Sequence, residues 1–265
     1  MLIDSHIHIF PDRLAPRVIP QLAQVSGFVP QTDGTLSDTL RQMDRWGVDK
    51  GIFLSIATKP SQQKTINDFC RSIAGERVIP FGSVHPDAED WQAELERIAE
   101  MGLRGIKLHP DYQNFDMGEE RVLPIFKKAR DLGLCVVVHA GFDPLSPQHI
   151  HCLPRDARKV LDAVPGIKLI LAHMGGMKCW DGVEEYLVGQ PVWLDTAAIS
   201  SAIGKEQLAR MIRNHGADRI LFASDCPWSD PRQGKSVDRG TGTGKKRRKC
   251  HLFWQYSGSF GLIRL

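Results

Sequence analysis

"LGLCVVVHAG" (residues 132–141) carries the fold in three parts. Gly133 stops a helix, Leu134 to Val138 are five apolar residues in a row, and His139 closes the run. An unbroken apolar run of this length is a strand buried on both faces, as parallel sheets require. Seven more runs surround it: "LIDSHIHIF" (2–10), "GIFLSIA" (51–57), "RVIPFGSVHP" (77–86) and "LRGIKLHP" (103–110) before it, then "IKLILAHMGG" (167–176), "VWLDTAAIS" (192–200) and "RILFASDCPW" (219–228) after it.

Between the runs the apolar period changes from continuous to helical. Leu36, Leu40 and Met43 recur at i, i+4, i+7, as do Trp91, Leu95 and Ile98. Ile66, Phe69 and Ile73 form another stripe, and Leu208, Met211 and Ile212 a fourth. Gly47, Gly75, Gly102, Gly133 and Gly216 supply C-terminal stops. Strand and helix alternating eight times predict an α/β protein, a (β/α)8 TIM barrel over residues 1–238. The rival, an open doubly wound sheet, lacks its Gly-rich phosphate loop after the first strand.

At 265 residues, 42% hydrophobic and 25% charged, the chain has the size and core of one such barrel. No apolar run is long enough to span a membrane, and no basic-then-apolar leader opens the chain. The six cysteines form no CxxC pair, which fits a reduced, cytoplasmic setting. The net charge of +3 misleads: residues 239–265 hold seven Lys and Arg and no acid, so removing those seven charges leaves the body at −4. Nucleic acid is therefore not an expected partner, nor is a membrane. The expected partner is a small-molecule substrate, and a homo-oligomer is compatible with the reading.

Chemistry in such barrels collects at the C-terminal ends of the strands. There the chain places His6 and His8 on strand one, His85 on three, Lys107 and His109 on four, His139 on five, His173 on six and Asp225 on eight. His6 and His8 are two apart in a strand, so they share a face, and two imidazoles side by side are half of a transition-metal site. A lone histidine closing an apolar strand is ordinary; this many at one rim, with an aspartate, reads as a metal centre.

Taken in order, "DSHIHIF" (4–10), "VVVHAG" (136–141), "LILAHMGG" (169–176) and "FASDCPW" (222–228) resemble the motifs of the amidohydrolase superfamily. The likeness is closest to the branch containing aminocarboxymuconate-semialdehyde decarboxylase. The resemblance implies a divalent metal, Zn2+, held by His6, His8, His139 and Asp225. It makes His173 the catalytic histidine, with Asp225 also accepting the proton of a metal-activated water. Binuclear relatives bridge two metals with a residue on strand four, where Lys107 is the candidate. Otherwise Lys107, with His109 and with Arg155 from the long loop 141–156, would bind an acidic substrate. The expected reaction is hydrolysis of a small cyclic amide, ester or lactone. The alternative is non-oxidative decarboxylation of an unsaturated or aromatic acid at the same site.

Residues 239–265 abandon this grammar: five consecutive basic residues, a Gly/Thr run and no helical period. A closed barrel wants an eighth helix there. A one-base forward shift across 240–262 permits an acidic, helix-forming peptide, so the expectation is a frameshift near Arg239 and a missing or altered last helix. Reading the gene across codons 236–245 tests it.

Overall fold

The computed structural model describes residues 1–232. The expectations of a frameshift near Arg239 and of a missing or altered eighth helix fall on residues outside those described. Eight strands appear in order: β1 (Ile3–Ile7), β2 (Lys50–Leu54), β3 (Val78–Phe81), β4 (Gly105–Leu108), β5 (Cys135–Val138), β6 (Lys168–Leu171), β7 (Trp193–Asp195) and β8 (Ile220–Leu221). Their ladders are parallel, in one sheet of order β1-β2-β3 and one of order β4-β5-β6-β7-β8.

Backbone hydrogen bonds join the two sheets at both edges. Between β3 and β4, Gly82 N donates to Gly105 O at 2.9 Å and Lys107 N to Gly82 O at 2.8 Å. Between β8 and β1, Ser5 N donates to Phe222 O, Asp225 N to His6 O and His8 N to Cys226 O, at 2.9, 2.9 and 2.6 Å. The strands thus form a (β/α)8 barrel.

Helices follow the strands: α1 (Ala15–Ser26) and α2 (Leu36–Trp46) after β1, α3 (Gln63–Ser72) after β2, and α4 (Trp91–Glu100) after β3. The short α5 (Pro110–Gln113) and then α6 (Leu123–Asp131) follow β4, α7 (Pro154–Ala163) follows β5, α8 (Trp180–Tyr186) follows β6 and α9 (Lys205–His215) follows β7. Thr35 caps α2 by accepting from Asp38 N, and Gly47 ends it with a φ of 64°.

Two apolar layers result. Ile52, Leu54, Phe81, Cys135, Val137, Ile170 and Leu221 pack together as the smaller cluster. The alternate residues, among them Ile106, Leu108, Val136, Val138, Leu169 and Leu171, join the larger cluster that includes the helices. Each strand is buried on both faces for this reason, which is the sequence pattern seen in residues 134–138. No helix among the described residues is long and apolar enough to cross a membrane.

Candidate metal centre

β1 ends at Ile7, so His6 is its penultimate residue and His8 stands one step past it. Both aim at the end of β8. His6 Nε2 and His8 Nε2 each lie 3.2 Å from Asp225 Oδ1. Their other ring nitrogens are fixed by acceptors: His6 Nδ1 donates to Asp195 Oδ2 at 2.9 Å, and His8 Nδ1 to the Leu54 carbonyl at 2.9 Å. A carbonyl or carboxylate at Nδ1 puts the proton there and leaves the Nε2 lone pair for a metal. These three residues offer ligand atoms within 4.8 Å of one another. Two Nε2 lone pairs and one carboxylate oxygen suit a first-row divalent cation, so the residues present fit the group the resemblance implies.

Burial sets the protonation states. His6, His109 and His139 are driven well below the usual histidine pKa, first by desolvation and then by neighbouring cationic groups. All three are therefore neutral, as ligands must be. Burial pushes Asp225 upward, but His6, His8 and His173 outweigh it and hold the carboxylate below its ordinary value. Its backbone has a φ of 70°, a conformation that costs a non-glycine residue about 1–3 kcal/mol. His173 is similar, with a φ of 58°. Backbone strain at two rim residues is what places them.

His173 is clamped through backbone and ring. Its N–H donates to Asp195 Oδ1 at 2.9 Å, Nδ1 donates to the Ala197 carbonyl at 2.9 Å, and Nε2 meets His139 Nδ1 at 3.0 Å. Asp195 thus holds His6 with one oxygen and His173 with the other. It was not among the expected residues, although it closes the apolar "VWL" just as His139 closes "CVVV", and that signal was available.

His139 follows β5, and its ligand atoms cluster with those of His109, Asp111 and Asp143. Its Nδ1 is engaged by His173, and its Nε2 lies 3.5 Å from Asp143 Oδ2. His109 stacks on it, with ring centroids 4.2 Å apart. Lys107 is buried beneath, 1% exposed, its Nζ 3.5 Å from His6 Nε2, and desolvation lowers its pKa to about 8. Arg155 is not brought to this rim by any described contact. It is exposed on the first turn of α7 and lines an outer cavity of about 300 Å³ with Lys178, Trp180 and Tyr186. His149 and His151, from the same loop, both hydrogen-bond Asp116 Oδ1 at 2.8 Å, which accounts for them as loop anchors.

The amidohydrolase family profile matches residues 3–239. The chain belongs to the amidohydrolase family. Among curated protein sequences, none matches this amidohydrolase. Solved structures share its fold at low identity. An uncharacterized TIM-barrel protein from Bordetella bronchiseptica aligns with a TM-score of 0.75 and 15% identity, over 99% of each chain. A dihydroxybenzoic acid decarboxylase from Polaromonas sp. JS666, with bound manganese and the inhibitor 2-nitroresorcinol, gives 0.66 and 17%, over 100% of this chain and 97% of that one. A probable 2-pyrone-4,6-dicarboxylic acid hydrolase from Acinetobacter baumannii, with citric acid bound, gives 0.65 and 13%, over 95% of each. At these identities the likeness is one of fold.

Proposed function

We propose that this amidohydrolase is a metal-dependent hydrolase of a small, acidic cyclic amide, ester or lactone, with the cation held by His6, His8 and Asp225. The observation that carries the reading is the convergence of two Nε2 atoms, each with its Nδ1 fixed by an acceptor, on one oxygen of a buried carboxylate. A divalent cation bound there supplies Lewis acidity, polarising a carbonyl and lowering the pKa of water toward about 7.

The chain's own groups do the rest. Asp225 meets the imidazoles through Oδ1, so Oδ2 is available to take a proton from the attacking water. As water adds to the carbonyl carbon and the C–N or C–O bond breaks, that proton passes to the leaving group. His173 holds the Ala197 carbonyl through Nδ1, so a proton it carries is exchanged at Nε2, where the 3.0 Å contact with His139 Nδ1 must open or relay it. Lys107, buried beside His6, is the cation to which a substrate carboxylate is drawn.

A second reading, non-oxidative decarboxylation of an unsaturated or aromatic acid, draws support from the fold shared with the dihydroxybenzoic acid decarboxylase. One assay separates them. The full chain, loaded with zinc or manganese, is offered lactones and cyclic amides beside dienoic and hydroxybenzoic acids. Ring-opened acid without carbon dioxide is the expected product; carbon dioxide release with no hydrolysis would replace the first reading by the second.

A further inference from the structure

On the outer side of α7, α8 and α9, three ion pairs tie neighbouring charges together. Lys159 pairs with Asp156 at 2.8 Å, Arg158 with Asp162 at 2.9 Å and Arg210 with Glu184 at 2.7 Å. Arg155 and Lys178 are exposed cations in the same region, and among the described residues neither has a carboxylate within ion-pair distance. Both line the outer cavity of about 300 Å³, where the starts of α7 and α8 meet. Two unmatched cations thus face one enclosed space.

The rest of the lining is aromatic and apolar. Leu153 and Pro154 come from the α7 end, Trp180 and Tyr186 from α8. Trp180 is 7% exposed and its Nε1 donates to the His173 carbonyl at 3.1 Å, so the indole is fixed and does not swing out to fill the space. Lys178 has a backbone φ of 59°, in the left-handed region that a residue other than glycine adopts uncommonly. Its ammonium stands 3.9 Å from the centroid of the Phe142 ring, a contact that orients the charge without neutralising it. The one acid in the lining, Asp181, is engaged elsewhere: its Oδ1 accepts from Gln207 Nε2 at 2.7 Å. With two cations against one acid, the lining is net positive. None of the metal-centre residues lines the cavity, and Trp180 is its link to His173.

We propose that this cavity is a second small-molecule site, apart from the metal centre, which takes a flat aromatic carboxylate. The carboxylate meets Arg155 and Lys178, and the ring lies against Trp180 and Tyr186. A guanidinium matches a carboxylate as a two-pronged hydrogen-bonded pair, and the ammonium adds a point charge beside it. Aromatic walls favour an offset-stacked or edge-on ring over a branched chain. Size sets the upper bound: ligand pockets run from about 300 to 1,000 Å³, so a space at the bottom of that range holds one ring with its acid group. A neutral ring leaves both cations unmatched, and a ringless acid leaves the apolar walls bare. The site stands independently of the reaction proposed above, whichever substrate is turned over.

The test is calorimetric titration of the zinc-loaded full chain with benzoate, beside acetate and benzamide. Benzoate is expected to bind saturably in the millimolar range or tighter. Acetate and benzamide each lack half of the recognition and bind at least about 10-fold more weakly. Arg155→Gln and Lys178→Gln each weaken benzoate about 10-fold, the share of one charge-assisted hydrogen bond. Lys159→Gln removes a neighbouring cation that Asp156 already holds, and leaves the affinity unchanged. Asp225→Asn, which disables the metal centre, leaves it unchanged as well; circular dichroism checks its fold, and His8→Gln replaces it if it is not native. Benzoate binding that Asp225→Asn abolishes and Arg155→Gln spares belongs to the metal centre and would overturn the cavity site. No saturation at millimolar benzoate, equal affinity for benzamide, or an equal loss in Lys159→Gln would overturn it too.

Discussion

His173 is held by its own backbone N–H, by Nδ1, by Nε2 and by its carbonyl, which accepts from Trp180 Nε1 at 3.1 Å. None of these contacts is to the trio, so truncating the ring removes a proton carrier without removing a trio ligand. His173→Ala is therefore expected to keep the trio's cation and to lose about 10²–10⁴ in kcat. Metal content measured beside turnover checks this, and near-parental kcat would take His173 out of the chemistry. Asp195 makes a different prediction, because it orients His6 by accepting its Nδ1 proton. Asp195→Asn should weaken metal binding about 10- to 100-fold at the trio, read as a shifted zinc titration; an unchanged affinity would reduce Asp195 to packing. The strand-ending histidines and Asp225 were legible because a polar residue closing an apolar run stands out against its neighbours. Asp111 and Asp143 were not, since both lie beyond the strand ends, where acidic residues are common, and only the folded chain aims them at His109 and His139.

At the level of elements, the turn after β5 does most to shape the site. Gly141 has a φ of 86°, and its backbone is so close to the turn after β6 that an added Cβ would sit 2.1 Å from Met177 N. That approach is used: Met177 N donates to Ala140 O and Phe142 N to Met177 O, both at 2.9 Å. Backbone atoms cannot move aside as a flexible side chain can. Gly141→Ala should therefore cost about 2–3 kcal/mol or more, seen as a lower urea midpoint, together with displacement of His139 and Asp143 on either side. A loss within about 0.5 kcal/mol, the range of ordinary surface changes, would show that the contact is not tight. The eight strands and the helices at 36–46, 63–72, 91–100 and 205–215 follow the apolar periods in the chain. α1 escaped that reading because Pro16 and Pro20 argue against a helix, yet Pro16 falls in its first turn, where the missing N–H is harmless. The run 219–228 yields only a two-residue β8, because the chain leaves extended geometry to put Asp225 at the rim.

Across the whole molecule, alternation of strand and helix made the barrel legible, but nothing in a linear pattern says what seals its first strand to its last. The structure seals them partly through Asp4, which is 1% exposed and whose Oδ1 accepts from His6 N at 3.1 Å and from Ser224 N at 2.9 Å. One side chain thus ties β1 to the segment after β8. Burial outweighs those hydrogen bonds and raises the Asp4 pKa to about 7, against an ordinary value of 3.8. Between those two values the folded chain binds the proton more tightly than the unfolded chain does. Stability linked to Asp4 is therefore fully present below the unfolded pKa and is lost as pH rises through about 7, above which the buried charge is fully costly. Asn at this position keeps an oxygen that accepts both N–H groups and carries no charge. Asp4→Asn should then stabilise the metal-free protein at pH 8 by a few kcal/mol, on the order of the pKa difference converted at about 1.4 kcal/mol per unit. The gain should shrink at pH 5, where Asp4 of the parent is mostly protonated in the fold. Because every other ionisable group is shared by the two proteins, comparing urea midpoints of the two at each pH cancels their contribution. A variant less stable than the parent at pH 8 would mean that the seam needs the negative charge, and a gain equal at both pH values would mean that Asp4 does not titrate in this range.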